Sequence, residues 1–87
     1  MNIIKTHDFE KAFRILPKDA QRLYQLQEER FTKNWRDPRL HIKKVRILPF
    51  AFSFRITRRY RVFFYFKNAN MAVFFEIDHR KDIYRNL

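Results

Sequence analysis

The chain has 87 residues, no cysteine, no glycine, 18% aromatic residues, and 20 Lys plus Arg against 9 Asp plus Glu, a formal charge of +11. That length suits one domain spanning residues 1–87, with a core that needs nearly every apolar residue. Without cysteine, disulfides and thiolate metal sites are excluded and a cytoplasmic setting is expected; without glycine, the dinucleotide-binding and Walker-type phosphate loops are excluded, because in them the backbone must approach phosphate closely.

No apolar run approaches the roughly 20 residues that span a bilayer, and Lys5 breaks the segment after Met1, so a soluble protein without signal peptide or membrane partner is expected. The charge is unevenly spread. From Pro38 to Phe75 there is no acidic residue, while Arg39, Lys43, Lys44, Arg46, Arg55, Arg58, Arg59, Arg61 and Lys67 all fall there. Such a patch attracts a polyanion or an acidic protein.

In chain order, Asn2 to Lys5 reads as a short opening strand, since Ile3 and Ile4 are β-branched. Thr6 or Asp8 caps a helix whose apolar positions Phe9, Ala12, Phe13 and Leu16 recur at helical spacing and which ends at Pro17. Pro17 suits the first turn of a second helix, running through Ala20, Leu23, Tyr24, Gln27 and Phe31 to Asn34 or Trp35. The two form a helical hairpin whose apolar stripe must cover a sheet. Asp37-Pro38 breaks the helix, and Arg39 to Arg46 makes a basic connector with a short strand around Lys44 to Ile47. Positive-φ turn positions in a glycine-free chain are expected at Asn34, Asn68 and Asn70.

Three strands follow. Phe50, Phe52, Phe54 and Ile56 alternate with Ala51, Ser53, Arg55 and Thr57; Tyr60 to Lys67 is aromatic and β-branched; Met71 to Asp78 alternates again. The turns at Thr57-Arg58-Arg59 and Asn68-Ala69-Asn70 are short enough to make the strands antiparallel neighbours. Placing Arg55 beside Arg61 keeps both off the phenylalanine face, since an unpaired buried charge costs several kcal/mol. That register predicts a core face of Phe50, Phe52, Phe54, Ile56, Tyr60, Val62, Phe64, Phe66, Val73, Phe75 and Ile77. The opposite, working face then carries Ala51, Ser53, Arg55, Arg61, Phe63, Tyr65, Phe74, Glu76 and Asp78. A turn or short helix over Arg80 to Asn86 ends the chain. The expected class is α+β: an N-terminal helical hairpin packed on a three- to four-stranded, mainly antiparallel sheet.

The segments FEKAFRILPKDAQ, SFRITRRYRVFFYF and IDHRKDIYR, in this order and spacing, resemble toxins of the RelE/ParE superfamily of type II toxin-antitoxin systems, from about Phe9 to Tyr84. The resemblance implies a toxin neutralised by an acidic antitoxin. It implies a metal-independent, cofactor-free endoribonuclease that cleaves messenger RNA, often on the ribosome, with a gyrase inhibitor as the alternative. Arg61 and Arg80 match the family's phosphate-binding and catalytic arginines, and Tyr84 its C-terminal tyrosine. His79, beside Arg80, is an acid or base candidate on its own chemistry. Lys43, Lys44, Arg46, Arg55, Arg58 and Arg59 are the expected RNA-binding cations.

The sequence departs from ribonuclease members at Ala51 and Ser53, where they place two lysines, and it has no glutamate in the connector to serve as base. Other roles compete for the same residues: Arg61 to pair with Asp78 across the sheet, Tyr84 to pack its ring, and Phe63, Tyr65 and Phe74 either to stack bases or to lie beneath another segment. His7 and His41 read as surface residues. A non-enzymatic nucleic-acid-binding protein, with salt-dependent binding and no toxicity, is the remaining reading.

Overall fold

A computed structural model describes residues 1–79, with the side chains of residues 1–77. The C-terminal turn expected over Arg80 to Asn86 lies outside the described residues. The elements are β1 (Asn2–Lys5), α1 (His7–Arg14), α2 (Lys18–Lys33), a 3-10 turn at Pro38–Leu40, β2 (Lys43–Lys44), β3 (Phe52–Arg55), β4 (Tyr60–Asn68) and β5 (Met71–His79). They form an α+β fold in which two helices cover one face of a five-stranded mixed sheet of order β1-β5-β4-β3-β2.

The sheet has more strands than the three or four expected, and it is mixed. β1 joins the edge of β5 in parallel, Ile3 opposite Ala72, because α1 and α2 carry the chain back across the sheet before β5 is made. β2 is only two residues long and lies slightly earlier than expected, pairing antiparallel with β3. Thr6 rather than Asp8 caps α1: its hydroxyl accepts from the Phe9 N–H at 3.1 Å, satisfying one of the free donors of the first turn. Gln21 clasps the end of α1, its amide donating to the carbonyls of Phe13 at 3.1 Å and Leu16 at 3.2 Å. α2 stops at Lys33, capped by Asn34 in extended conformation.

Aromatic side chains fill the space between layers. The fully buried Phe31 of α2 meets Phe54, Phe64 and Phe74 at ring-centroid distances of 5.6, 5.0 and 5.0 Å, and Phe9 of α1 meets Phe74 at 5.7 Å. The last three pairs are edge-on, the arrangement the aromatic quadrupole favours. Leu23, placed on the inner stripe by its spacing, is 45% exposed. Among the described residues no helix is long and apolar enough to cross a membrane.

The predicted register holds between β3 and β4, with Arg55 opposite Arg61. Along β5 it changes. Phe63 faces Glu76, but the next residue, Phe64, faces Phe74, so Phe75 is the extra residue of a β-bulge. A bulge reverses the alternation on its strand. Phe74 therefore enters the core beside Ala72, contrary to the expected working-face position, while Phe75 joins Phe63 and Val45 in a second small cluster on the far side of the sheet. Val73 likewise stands on the far side, opposite Tyr65, whereas Ile77, beyond the bulge, is in the core as expected. Phe50 also leaves its expected place: it is 58% exposed and packs against Tyr65 and Phe75, because the chain reaches it before β3 has begun.

Candidate nucleic-acid interface

The face of the sheet turned away from the helices carries Lys43, Arg55 and Arg61 of the residues that the sequence singled out. Cross-strand partners share a face, so the rows run Lys43, Ser53, Phe63, Glu76 and then Arg55, Arg61. Arg58 and Arg59 stand exposed in the turn beyond the second row, and Lys44 and Arg46 are exposed at the β2 edge and just after it. The basic run has thereby become one margin of the molecule, from the β2 edge to the β3–β4 turn. None of Lys43, Lys44, Arg46, Arg55, Arg58 and Arg59 forms an ion pair among the described residues. Arg39 is different. It is held by Asp37, whose carboxylate accepts from its guanidinium at 3.0 and 2.7 Å and whose pKa falls to about 2 because of those bonds.

Arg61 is 7% exposed and is engaged by the protein. Its Nε donates to Ser53 Oγ at 2.9 Å and its Nη2 to the carbonyl of His41 at 2.6 Å. Asp78 is its register partner in β5. The guanidinium thus ties the basic connector to the centre of the sheet. Ser53 and Ala51, where ribonuclease members are expected to carry lysines, are both buried: Ser53 accepts from Arg61, and Ala51 lies fully covered with Val45 and Phe63.

His41 ends the 3-10 turn in the left-handed conformation, φ 50 and ψ 53. It is the only positive-φ residue among those described, so Asn34, Asn68 and Asn70 do not take the role expected of them. Asn68 instead closes its turn through its side chain, accepting from the Asn70 N–H at 2.9 Å. His79 ends β5 opposite Tyr60, one row beyond the Arg61–Asp78 pair. Arg80 and Tyr84 lie outside the described residues. Phe63 and Phe75 form a covered cluster with Val45 and Leu48, and Tyr65 remains half-buried at its margin, so this part of the far face is largely packed by the connector.

Sequence reasoning missed Gln27 as a tether. It is 5% exposed; its amide donates to the carbonyls of Arg39 at 3.0 Å and Arg55 at 2.6 Å, and its own carbonyl accepts from Arg30 at 2.9 Å. A glutamine on an otherwise apolar helical stripe was the available signal, since buried polar groups must be hydrogen-bonded. On the opposite edge of the sheet, a hollow of about 240 Å³ is lined by Lys5, Phe13, Arg14 and Tyr24. There Tyr24 donates to Glu28 at 2.6 Å, and burial, then that bond, pushes its phenol pKa upward.

By sequence, no protein-family model and no curated protein matches the chain. By structure it is similar to a chain of the RelB-RelE antitoxin-toxin complex from Methanococcus jannaschii, with TM-score 0.77 and 22% identity over 97% of this chain and 98% of that one. It is also similar to the YoeB/ParE toxin from Agrobacterium tumefaciens, with TM-score 0.77 and 8% identity over 92% and 99% of the two chains. A chain of the archaeal RelE-RelB complex from Pyrococcus horikoshii gives 0.73 and 14% over 91% and 93%. The chain therefore has the RelE/ParE toxin fold.

Proposed function

We propose that this chain is the toxin of a type II toxin-antitoxin pair and that it cleaves messenger RNA. The supporting observation is that the likeness to RelE and YoeB/ParE structures covers nearly the whole of both chains. The cations on one margin, which form no ion pair among the described residues, supply what an RNA substrate requires, positive charge beside the developing phosphorane. In metal-independent cleavage the 2′-hydroxyl attacks the neighbouring phosphate, which needs one proton acceptor and one donor. His79 is one of these. Arg80 and Tyr84 take the phosphate-binding and nucleotide-positioning roles, Arg61 holds the connector in place, and Lys43, Lys44, Arg46, Arg55, Arg58 and Arg59 grip the backbone. The partner is an acidic antitoxin, the setting cytoplasmic, and the message is met on the ribosome.

The experiment is induced expression followed by mapping of RNA ends on translating ribosomes. Growth arrest with new, defined message ends is expected. A gyrase-directed reading has one specific observation in its favour: Ala51 and Ser53 are buried, so the lysine pair of ribonuclease members has no counterpart on this face. Growth arrest with intact message and inhibited supercoiling would establish that reading instead. Salt-dependent RNA binding without growth arrest would leave a binding protein.

A further inference from the structure

We infer that Phe50 is a stacking platform for a base of single-stranded RNA, an inference that deepens the RNA-directed reading above and rests on it. Of eleven phenylalanines, all among the described residues, ten are buried or half-buried, and Phe50 alone is exposed, at 58%. Its neighbour in the same loop, Ile47, is 45% exposed. In a small protein that needs its aromatic residues for a core, a ring left in water has a use outside the core.

A short closed loop sets its position. The Val45 N–H donates to the Ala51 carbonyl at 3.0 Å and the Ala51 N–H to the Leu48 carbonyl at 2.9 Å, so Arg46 and Phe50 stand at the two ends of one loop, both exposed. Pro49 fixes its own φ just before Phe50. The Phe50 ring meets Tyr65 edge-on at 6.0 Å and Phe75 at 6.3 Å. Those two meet each other at 5.7 Å, and Phe75 meets Phe63 at 6.1 Å. The four rings form one raft on the face turned away from the helices, covered at Phe63 and open at Phe50. A ring held in this way has little rotamer freedom left to lose when a base stacks on it.

The charge around the ring selects the occupant. Lys43, Lys44 and Arg46 are exposed on the segment that leads into the loop, and none forms an ion pair among the described residues. Arg55 and Arg61 lie on the same face as the raft; Arg61 and Tyr65 are four residues apart on β4, about 13 Å at the usual strand rise. Glu76, the carboxylate in the Phe63 row, is half-buried, and its Oε1 accepts from the Ile77 N–H at 3.0 Å. An exposed aromatic ring bordered by cations fits a ligand that has flat apolar faces on an anionic backbone. Single-stranded RNA is such a ligand, its bases stacking on aromatic side chains while its phosphates meet lysine and arginine. Duplex RNA keeps its bases stacked on one another and would leave the ring unused. Phe50 takes no part in bond making; it positions a nucleotide of the bound strand.

The test measures binding of the full chain to a fluorescein-labelled single-stranded RNA of about ten nucleotides, and to a strand of the same length made of abasic residues. Phe50→Ala is expected to weaken RNA binding about 5- to 150-fold, the range found when a stacking aromatic is removed. Phe50→Leu, which keeps an apolar contact with Tyr65 and Phe75 and hence the thermal midpoint, should weaken it as well, whereas Phe50→Trp should bind at least as tightly as wild type. The slope of log K against log salt should not change, since no phosphate contact is lost, and the abasic strand should bind wild type and variants alike. Phe50→Leu binding RNA as wild type does would overturn the inference, and so would an equal loss on the abasic strand. Unchanged RNA binding by Phe50→Ala with weakened antitoxin association or self-association would also overturn it and assign the ring to a protein partner. A wild type that binds neither strand fails the RNA reading itself, an outcome distinct from a wild type that binds RNA no better than its Phe50 variants.

Discussion

Replacing Arg61 by methionine would leave the Ser53 hydroxyl and the His41 carbonyl without the charged donor that each now shares. Bonds of that kind, broken at one partner in a buried setting, cost about 2–4 kcal/mol. Urea unfolding of Arg61→Met should show a loss of that size, with Arg61→Lys falling between it and wild type because an ammonium keeps the charge but lacks the planar fork. Stability equal to wild type would mean that the guanidinium does not hold the connector. Any loss of activity in such variants must be read against this loss of stability. A second residue-scale expectation concerns Asp37. Its bonds from Arg39 lower its pKa from 3.8 to about 2 in the folded protein. Because the folded value is the lower one, the pair favours the fold above about pH 4, and that contribution disappears as the pH falls through about 2. A carboxyl NMR titration should find a midpoint near 2; one near 3.8 would show that the pair does not form in solution.

Among the elements, β5 holds the largest departure from a simple reading. Strict alternation along Met71 to Asp78 predicts Phe75 inside and Phe74 outside, and the bulge at Phe75 exchanges them. The consequence is measurable. Phe74→Ala removes a fully buried ring touching Phe9, Phe31 and Phe54, and should cost about 3–5 kcal/mol. Phe75→Ala, in a half-buried cluster, should cost clearly less. The reverse ranking in urea would mean that β5 pairs without the bulge. The helices were more legible. Period 3.6 locates both, Thr6 and Pro17 mark their starts, and Leu23 lies outside the buried stripe that its spacing predicts, since spacing defines a stripe without saying how wide a sheet lies beneath it. The positive-φ residue was not legible. Asparagine is the usual substitute for glycine, yet here hydrogen bonds from Arg61 and to Pro38, not side-chain preference, select His41.

At the scale of the whole molecule, the basic margin should make the proposed RNA binding strongly dependent on salt. Each single-strand phosphate contact contributes about 0.7 to the slope of log K against log salt. Lys43→Gln with Lys44→Gln should therefore flatten that slope by about 1.4, and an unchanged slope would remove β2 from the interface. In the proposed pairing, the same margin should attract an acidic, disordered segment of the antitoxin. Lys43→Glu with Lys44→Glu is expected to slow antitoxin association more than it speeds dissociation. Equal on-rates for variant and wild type at low and high salt would place the dock elsewhere.

Local pattern carries the α+β class, the two helices, the pairing of the Phe52 and Tyr60 strands with Arg55 opposite Arg61, and the one-sided charge. These are local properties: periodicity, turn length and the cost of burying a cation are all set by residues near one another in the chain. Contacts between distant segments set the parallel docking of β1, the two-residue β2, the bulge in β5 and the use of Arg61, Ser53, Gln27 and His41 to bind the connector. Those depend on which distant backbone groups arrive unpaired at the same place, and a buried carbonyl needing a donor leaves no mark on the sequence around it.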